Sequence, residues 1–600
     1  MPVRTTRNLF RRIGSSLSLS QDWHMLLLAG VCGVFMAGVA LAFIGSIDWL
    51  HHHIAQFARR GSAELWIGVG LPVVGALVTV FVFWLFPSTF KGHGVSRVIL
   101  AVAKQKSVLP LQLAPRQLLG ATATIASGGS AGPEGPIVAV GAAIGSFFSS
   151  WLELDTSRRT TLLGCGAAAG LAAVFNAPIA GVFFVLEVIL RDFTPRTFTP
   201  IVIASVTAAA TAQTILHSSE PIFGISAATL DQSPLSLVQT PQYALLGLIV
   251  GFAAAGFSVG MKSAHRLFDR LPARVMTRPI IGAAALVVLG AVWVTFEGDG
   301  ERELPPFYGM GYSLVRELLQ LTVAPGSSAF LLLGSLAVIV VLKVLATGCT
   351  LGSGGAGGLF APGLVLGALL GALFSALTKA IPLLPDVEPV HGVLVGMGAF
   401  VAASSHAPLA GAFLVYELSH SYAILLPLLL AAVIATVAAR FVYSPSIYTA
   451  ELAAFNIRIA SVSAASVLRG TFIRDTPLLP AIAVGRNDSA ESLITLGETH
   501  GVHDFPVVDA HGVYTGLVCG SDLRSALIYR DALRLLSVAE LERTDFLPLD
   551  PHDTLETALH RFGRHETQVL PVVDPISGAP VGLISRSQLM ALYNRATEDA

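Results

Sequence analysis

From residue 25 to about 443 the chain alternates long apolar stretches with short polar ones, at roughly 25–47, 65–86, 117–150, 161–190, 199–216, 242–262, 279–296, 329–347, 358–383, 391–416 and 422–443. A helix of about 20 apolar residues crosses a bilayer, so the pattern predicts an all-α polytopic membrane domain. Gly and Pro interrupt several stretches, which predicts paired or broken helices rather than simple spans. After about residue 465 the pattern turns polar and mixed, as in a soluble α/β domain. These shifts divide the chain into an N-terminal segment (1–23), a membrane domain (24–450), a linker (451–468) and a soluble domain (469–600).

Both domains repeat internally. "GGSAGPEGPIVAVGAAIG" (128–145) returns as "GSGGAGGLFAPGLVLGALLG" (352–371), and "NAPIAGVFFVLE" (176–187) returns within "SHAPLAGAFLVYE" (405–417). The two echoes keep their order at nearly one offset, about 230 residues, which isolated chance echoes of apolar helices do not. Transporters built this way place their site where broken helices of the two repeats meet. In the soluble part, "HDFPVVDAHGVYTGLVCGSDLRSAL" (503–527) matches "TQVLPVVDPISGAPVGLISRSQLMAL" (567–592). Each copy predicts a short strand, a turn carrying Asp and Gly, a second strand and a helix start.

Composition narrows the class. With 53% hydrophobic and 12% charged residues and a mean hydropathy of +0.70, most of the surface must face lipid or pack inside a membrane. A net charge of −1 gives no support for a nucleic-acid partner. Cys32, Cys165, Cys349 and Cys519 lie far apart without CxxC spacing, so neither a disulfide framework nor a metal site is suggested. Arg4, Arg7, Arg11 and Arg12 precede an apolar run too long for a signal core. The positive-inside rule then places an uncleaved N-terminus in the cytoplasm.

One carboxylate stands out in this apolar frame. Glu134 sits between Gly-Pro and Gly-Pro in "GGSAGPEGPIVAV" (128–140), where an unpaired buried charge is costly. Breaks at "KGHGVS" (91–96), "GGSAGPEGP" (128–136) and "GGLFAP" (357–362) free backbone N–H groups at helix starts. Those N–H groups and the helix dipole attract an anion without holding it as a salt bridge would. Glycines in membrane helices also serve close packing. Three breaks together, one with a carboxylate, favour an anion path.

These segments resemble the three anion-binding signatures of the CLC family of chloride channels and anion/proton exchangers. The family's Gly-Ser-Gly-Ile-Pro is matched by Gly92-His93-Gly94-Val95-Ser96, and Gly-Arg/Lys-Glu-Gly-Pro by Gly132-Pro133-Glu134-Gly135-Pro136. Gly-Ile/Phe-Phe-x-Pro is matched by Gly358-Leu359-Phe360-Ala361-Pro362. "GAAAGLAAVFNAPIAGVFFVLE" (166–187) resembles the stretch after the second signature, and "SPSIY" (444–448) the segment supplying the pore tyrosine, here Tyr448. The soluble tail resembles a tandem CBS pair. The resemblance implies two inverted halves, a homodimer with a pore in each subunit, and a multi-pass place in the plasma or inner membrane with N-terminus and CBS pair cytoplasmic. It implies no enzyme and no required cofactor, with chloride or another monovalent anion as the transported ion. The anion would be held by His93, Gly94, Gly132, Gly135, Leu359, Phe360 and Tyr448, and Glu134 would be the gate, opened by voltage or pH. An apolar surround favours its neutral acid and helix N-termini its anion, so its charge answers to both pH and competing anion.

The chain departs from the family in places. Exchangers carry a proton-passing glutamate directly after the position of Glu187; here it is Val188, which favours a chloride channel over a chloride/proton antiporter, although some exchangers dispense with that glutamate. Glu187 could substitute, or be a structural helix-end residue. His93 replaces the inner-gate serine: its imidazole could donate to the anion, or simply be solvated at the mouth. Ser96 replaces the usual proline, which leaves anion preference open, and Pro133 removes a basic residue beside the outer vestibule. In the tail, "GLVCGSD" (516–522) and "GLISRSQ" (582–588) resemble the strand-turn that holds adenosine in CBS pairs, with Asp522 in one and Ser585 in the other. Cys519 and Gln588 break the pattern, so bracing the dimer competes with binding an adenine nucleotide.

Three rival readings fit less well. "WLHHHIA" (49–55) suggests no metal site, because three consecutive histidines cannot all face one ion; an interfacial loop is expected. A membrane metalloprotease would need HExxH, and "HETQV" (565–569) lacks the second histidine. A CBS-regulated divalent-cation channel would need more pore carboxylates than Glu134 and Glu187.

Overall fold

The computed structural model describes residues 21–87, 94–103, 107–217, 223, 239–272, 275–297, 303–320, 329–381, 385–454, 471–526, 535–564 and 567–598. The chain forms two compact units, Met1–Arg458 and Ile459–Ala600.

The first unit is helical. It begins with α1 (Gln21–Ala58), α2 (Ser62–Leu85), α3 (Gly94–Ala103), α4 (Leu113–Ala126), α5 (Glu134–Trp151) and α6 (Thr156–Phe175). Next come α7 (Pro178–Phe184), continued by a π-helical turn (Val185–Leu190), then α8 (Pro195–Leu216), α9 (Thr240–Arg270), α10 (Arg278–Glu297) and α11 (Tyr312–Leu319). It ends with α12 (Ala329–Leu351), α13 (Phe360–Ala380), α14 (Pro389–Ser405), α15 (Pro408–Ser419), α16 (Leu425–Val442) and α17 (Thr449–Ala454). Among the described residues, eight helices are long and apolar enough to span a membrane. The runs at 117–150, 161–190 and 391–416 each prove to be two helices, α4/α5, α6/α7 and α14/α15.

The breaks have local causes that recur in both repeats. Asn176 (φ 52°) ends α6 and His406 (φ 60°) ends α14, both left-handed, a conformation Asn and His tolerate better than branched residues. Pro178 and Pro408 then take first helical positions, where a missing N–H costs nothing. A Cβ on Gly141 (α5) would run into the Gly166 carbonyl (α6), and one on Gly367 (α13) into that of Gly396 (α14). Each half thus packs one helix pair backbone against backbone, which leaves α5 and α13 buried almost throughout.

The histidine tract departs from expectation. His51, His52 and His53 lie on α1, not in a loop. His52 bonds Gln56 (2.8 Å) and His53 bonds the Trp49 carbonyl (2.7 Å), one turn away in each case, so the 38-residue helix runs past its apolar stretch with these rings satisfied.

The second unit contains β1 (Val484–Gly485), α18 (Ala490–His500), β2 (Phe505–Val508), β3 (Tyr514–Val518) and α19 (Gly520–Ala526), then α20 (Val538–Leu541), α21 (Leu555–Arg564), β4 (Val569–Val573), β5 (Pro580–Ser585) and α22 (Arg586–Glu598). Antiparallel β2–β3 and β4–β5 share one irregularity, between Val507 and Val508 and between Val572 and Val573. The copies are interlocked: Leu479, before the first, pairs with Leu583 of the second, and Arg543, before the second, pairs with Leu517 of the first. Leu517, Cys519, Phe546, Val569 and Leu583 form the core they share.

Candidate functional site

The two glycine breaks meet face to face. The Gly132 N–H donates to the Gly358 carbonyl (2.9 Å) and the Gly358 N–H to that of Gly132 (2.7 Å), a two-residue antiparallel bridge between the repeats. Before it, the Gly129 N–H reaches the Thr124 carbonyl and the Gly355 N–H that of Thr350, so both loops leave their helices in the same way. Gly357 (φ 155°) lies against Ala131, where a Cβ would clash. From this bridge α5 and α13 depart, starting at Glu134 and Phe360.

Glu134 folds back over the bridge. Its Oε1 accepts from the Ala361 N–H at 2.7 Å, in the first turn of α13, and Oε2 is buried with no hydrogen-bond partner. A Cβ on Gly132 would collide with the carboxylate, and one on Gly358 would lie 2.9 Å from Oε1. The carboxylate therefore occupies the position a small anion would take at the α13 N-terminus. The residue is 2% exposed.

The other expected residues group around it. A Cβ on Gly94 at the start of α3 would strike the Gly135 carbonyl, and one on Gly135 would lie 3.1 Å from Gly358 Cα. Leu359 and Phe360 are buried at the α13 start. The Phe360 ring lies 5.9 Å from Phe184, whose ring is edge-on to Tyr448 at 5.9 Å. The Tyr448 hydroxyl is buried without a partner, and its ring lies within range of the Glu134 charge. Ser96, where proline was expected, donates through Oγ to the Tyr448 carbonyl (2.9 Å), a bond proline could not make. His93 lies outside the described residues.

Glu187 has a structural partner. Its carboxylate accepts from the Leu409 and Ala410 N–H groups (3.2 and 2.8 Å) at the start of α15. Glu417, its counterpart, accepts from Ile179 and Ala180 (2.9 and 2.8 Å) at the start of α7. Each repeat thus caps a helix of the other. Val188, beside Glu187 in the π-helical turn, is buried.

Several contributors were not foreseen. Ala361 acts through its backbone, which no side-chain pattern reveals. Ser130 bonds Thr347 (Oγ to Oγ1, 3.0 Å) and its N–H donates to Thr350 Oγ1 (3.0 Å), tying the Glu134 loop to α12. Lys343, fully buried in α12, donates to the Phe307 and Gly309 carbonyls (both 3.1 Å). Glu417 was legible as the echo of Glu187 at the repeat offset.

In the second unit, the Gly520 N–H donates to Asp504 (3.0 Å), and Asp522 Oδ2 is buried with no hydrogen-bond partner. Burial, reinforced by the Asp504 and Asp522 charges, pushes the Cys519 thiol up to about 11. At the equivalent position Ser585 and Gln588 close on each other: the Ser585 N–H donates to Gln588 Oε1 (3.0 Å) and the Gln588 N–H to Ser585 Oγ (3.2 Å).

Inverted repeats, a helix-start cradle at their junction and a carboxylate lying in it define a membrane anion transporter. The model of the voltage-gated chloride channel family matches residues 74–440 and the CBS domain model residues 538–595, and the chain belongs to the CLC family. A ClcB-like protein of Ralstonia nicotianae is 30% identical over 440 residues, covering 72% of this chain and 96% of that protein. Among solved structures, a slow cyanobacterial chloride/proton antiporter is similar with TM-score 0.60 and 24% identity, over 73% of this chain and 99% of that one. A eukaryotic CLC transporter has TM-score 0.60 and 19% identity over 95% and 99%, and a CLC-type fluoride/proton antiporter 0.56 and 24% over 72% and 98%.

Proposed function

We propose that this protein is a chloride-conducting channel gated by Glu134. The observation that carries the reading is the Glu134 carboxylate on the Ala361 N–H, over the Gly132–Gly358 bridge, where it excludes an anion until it leaves. Gly94, Gly132, Gly135, Leu359, Phe360 and Tyr448 line the path, and His93 is proposed as a further anion contact. Chloride release is easy because only backbone dipoles and one phenol hold it.

Passive conduction rests on the side of the path beyond Glu134. Val188 is apolar and buried, and both Glu187 oxygens are engaged by backbone donors, so neither offers a free proton carrier. A second reading, anion/proton exchange, is supported by Glu134 itself, a carboxyl group able to carry a proton. The protein works as a homodimer in the cell membrane, with residues 1–23 and the CBS pair of 469–600 cytoplasmic and 451–468 as linker. Asp522 is the nucleotide contact if the tail binds one; Ser585 is occupied by Gln588.

Purified protein in liposomes under a chloride gradient and defined voltage, with internal pH recorded, tests this. Chloride flux without coupled protons, altered by Glu134→Gln, is expected. Uphill proton movement at a fixed ratio would overturn the channel reading in favour of exchange.

A further inference from the structure

Among the described residues, two tyrosine hydroxyls are buried, unpartnered and within range of the Glu134 charge. Tyr448 is one. The other, Tyr312, begins α11.

Its placement is determined by the loop before it. The Gly309 N–H donates to the Gly128 carbonyl (3.0 Å), and the Phe307 and Gly309 carbonyls hold Lys343, so residues 307–311 are pinned to the break that carries Glu134. A Cβ on Gly311 would lie 2.9 Å from Val365, one turn beyond Ala361 on α13. Tyr312 therefore directly follows a residue packed on α13, one turn beyond the Ala361 N–H that holds the Glu134 carboxylate. Phe223 meets its ring edge-on at 5.5 Å, which fixes the ring and leaves the hydroxyl to be satisfied.

We propose that Tyr312 receives the Glu134 carboxyl group when it leaves Ala361, so that the open gate is a hydrogen-bonded state and not a solvated side chain. A phenol suits the task because it donates to a carboxylate and accepts from a carboxylic acid, so it holds Glu134 in either form. The charged groups around it are Glu134 on α5, Asp48 on α1, and Lys343 on α12 near Gly311; Asp48 in turn is in range of His51 and of Arg316 on α11. The closed gate leaves the phenol and Glu134 Oε2 both unsatisfied, and one movement pairs them.

This inference rests on Glu134 being the gate, and the test separates the two. Chloride flux is measured in liposomes for Tyr312→Phe, Glu134→Ala and the double variant. Phenylalanine keeps the ring and its packing, and flux is expected to fall about tenfold, the loss of one hydrogen bond to a charged partner. In the Glu134→Ala background the same change is expected to do nothing, because no carboxyl group remains to dock. Tyr312→His, which keeps a ring and a donor, is expected to recover most of the flux. An equal fall in both backgrounds would make Tyr312 a packing residue and overturn the proposal, as would unchanged flux in Tyr312→Phe alone. If Glu134→Ala itself leaves flux unchanged, the gate reading fails first and takes the proposal with it.

Discussion

The two halves of the membrane unit share a frame and differ in the charge at one of its positions. Gly132-Pro133-Glu134-Gly135-Pro136 and Gly358-Leu359-Phe360-Ala361-Pro362 each leave a glycine bridge and enter a buried helix. Yet the first helix starts with a carboxylate and the second with a phenyl ring. Glu187 and Glu417, by contrast, are kept in both halves and do the same thing in each, capping the opposite helix. A carboxylate retained across the repeat braces the fold; the one without a counterpart is the one proposed above to move. The membrane makes the distinction sharp, because an unsatisfied carboxylate there is costly and persists only with a role.

Breaking that asymmetry should give the largest effect. Glu134→Ala is expected to raise chloride flux tenfold or more, since it removes an occupant held by a charge-assisted hydrogen bond of roughly 1.5–3 kcal/mol. Phe360→Leu, at the equivalent position, is expected to change flux by less than about threefold, because it keeps the helix-start N–H groups and trims only the ring packed beside them. Comparable effects from both would mean that the position, and not the carboxylate, controls the path.

Next in size is the bracing pair. Glu187→Ala and Glu417→Ala each strip two N–H groups of their acceptor and are expected to destabilise the protein by about 2–3 kcal/mol, similarly for the two. Thermal unfolding of the detergent-purified protein reads this. Glu187→Gln keeps one acceptor and should cost less, without altering any proton movement. A selective loss of proton movement in Glu187→Gln, with stability intact, would instead make Glu187 a carrier and remove the contrast.

Much of this was legible in the chain because repetition is a one-dimensional signal. The breaks at 128–136 and 357–362, the Asn176-Ala177-Pro178 and His406-Ala407-Pro408 turns and the offset of about 230 residues could all be read from residue order. Glu134 was legible too, as a charge among apolar residues. What could not be read were the backbone partners: the Gly132–Gly358 bridge, the Ala361 N–H that Glu134 accepts from, and the Phe307 and Gly309 carbonyls that hold Lys343, none of which leaves a side-chain signature. The histidine tract misled because three polar residues at the end of an apolar run look like a loop, whereas α1 satisfies two of them by contacts one turn away. In the sequence Ser96 stands where the family has proline. In place it is a gained bond to Tyr448, and Ser96→Ala is expected to cost about 1 kcal/mol, seen as a shift of about fivefold in the chloride dependence of flux.

The second unit also pairs a retained frame with a difference between its copies, and here the smallest effect is expected. Its copies keep the Pro-Val-Val-Asp segment and the irregularity within it, Val507–Val508 and Val572–Val573, which marks these as frame. They differ where each hairpin exits: Cys519 and Asp522 in one, Ser585 and Gln588 in the other. Ser585 and Gln588 satisfy each other, while the Cys519 side is left with a buried carboxylate oxygen and no hydrogen-bond partner for it. With the thiol at about 11, its reactive thiolate is only about a thousandth of the population at pH 8. Modification of Cys519 by a disulfide reagent, followed in a variant with the other three cysteines replaced, should therefore speed up about tenfold per pH unit from 7 to 10, with no plateau. A plateau near 8.5 would mean an exposed, ordinary thiol and two equivalent copies. Adding an adenine nucleotide is expected to leave the rate unchanged if this exit only braces the shared core, and to slow it if the Asp522 side holds a ligand.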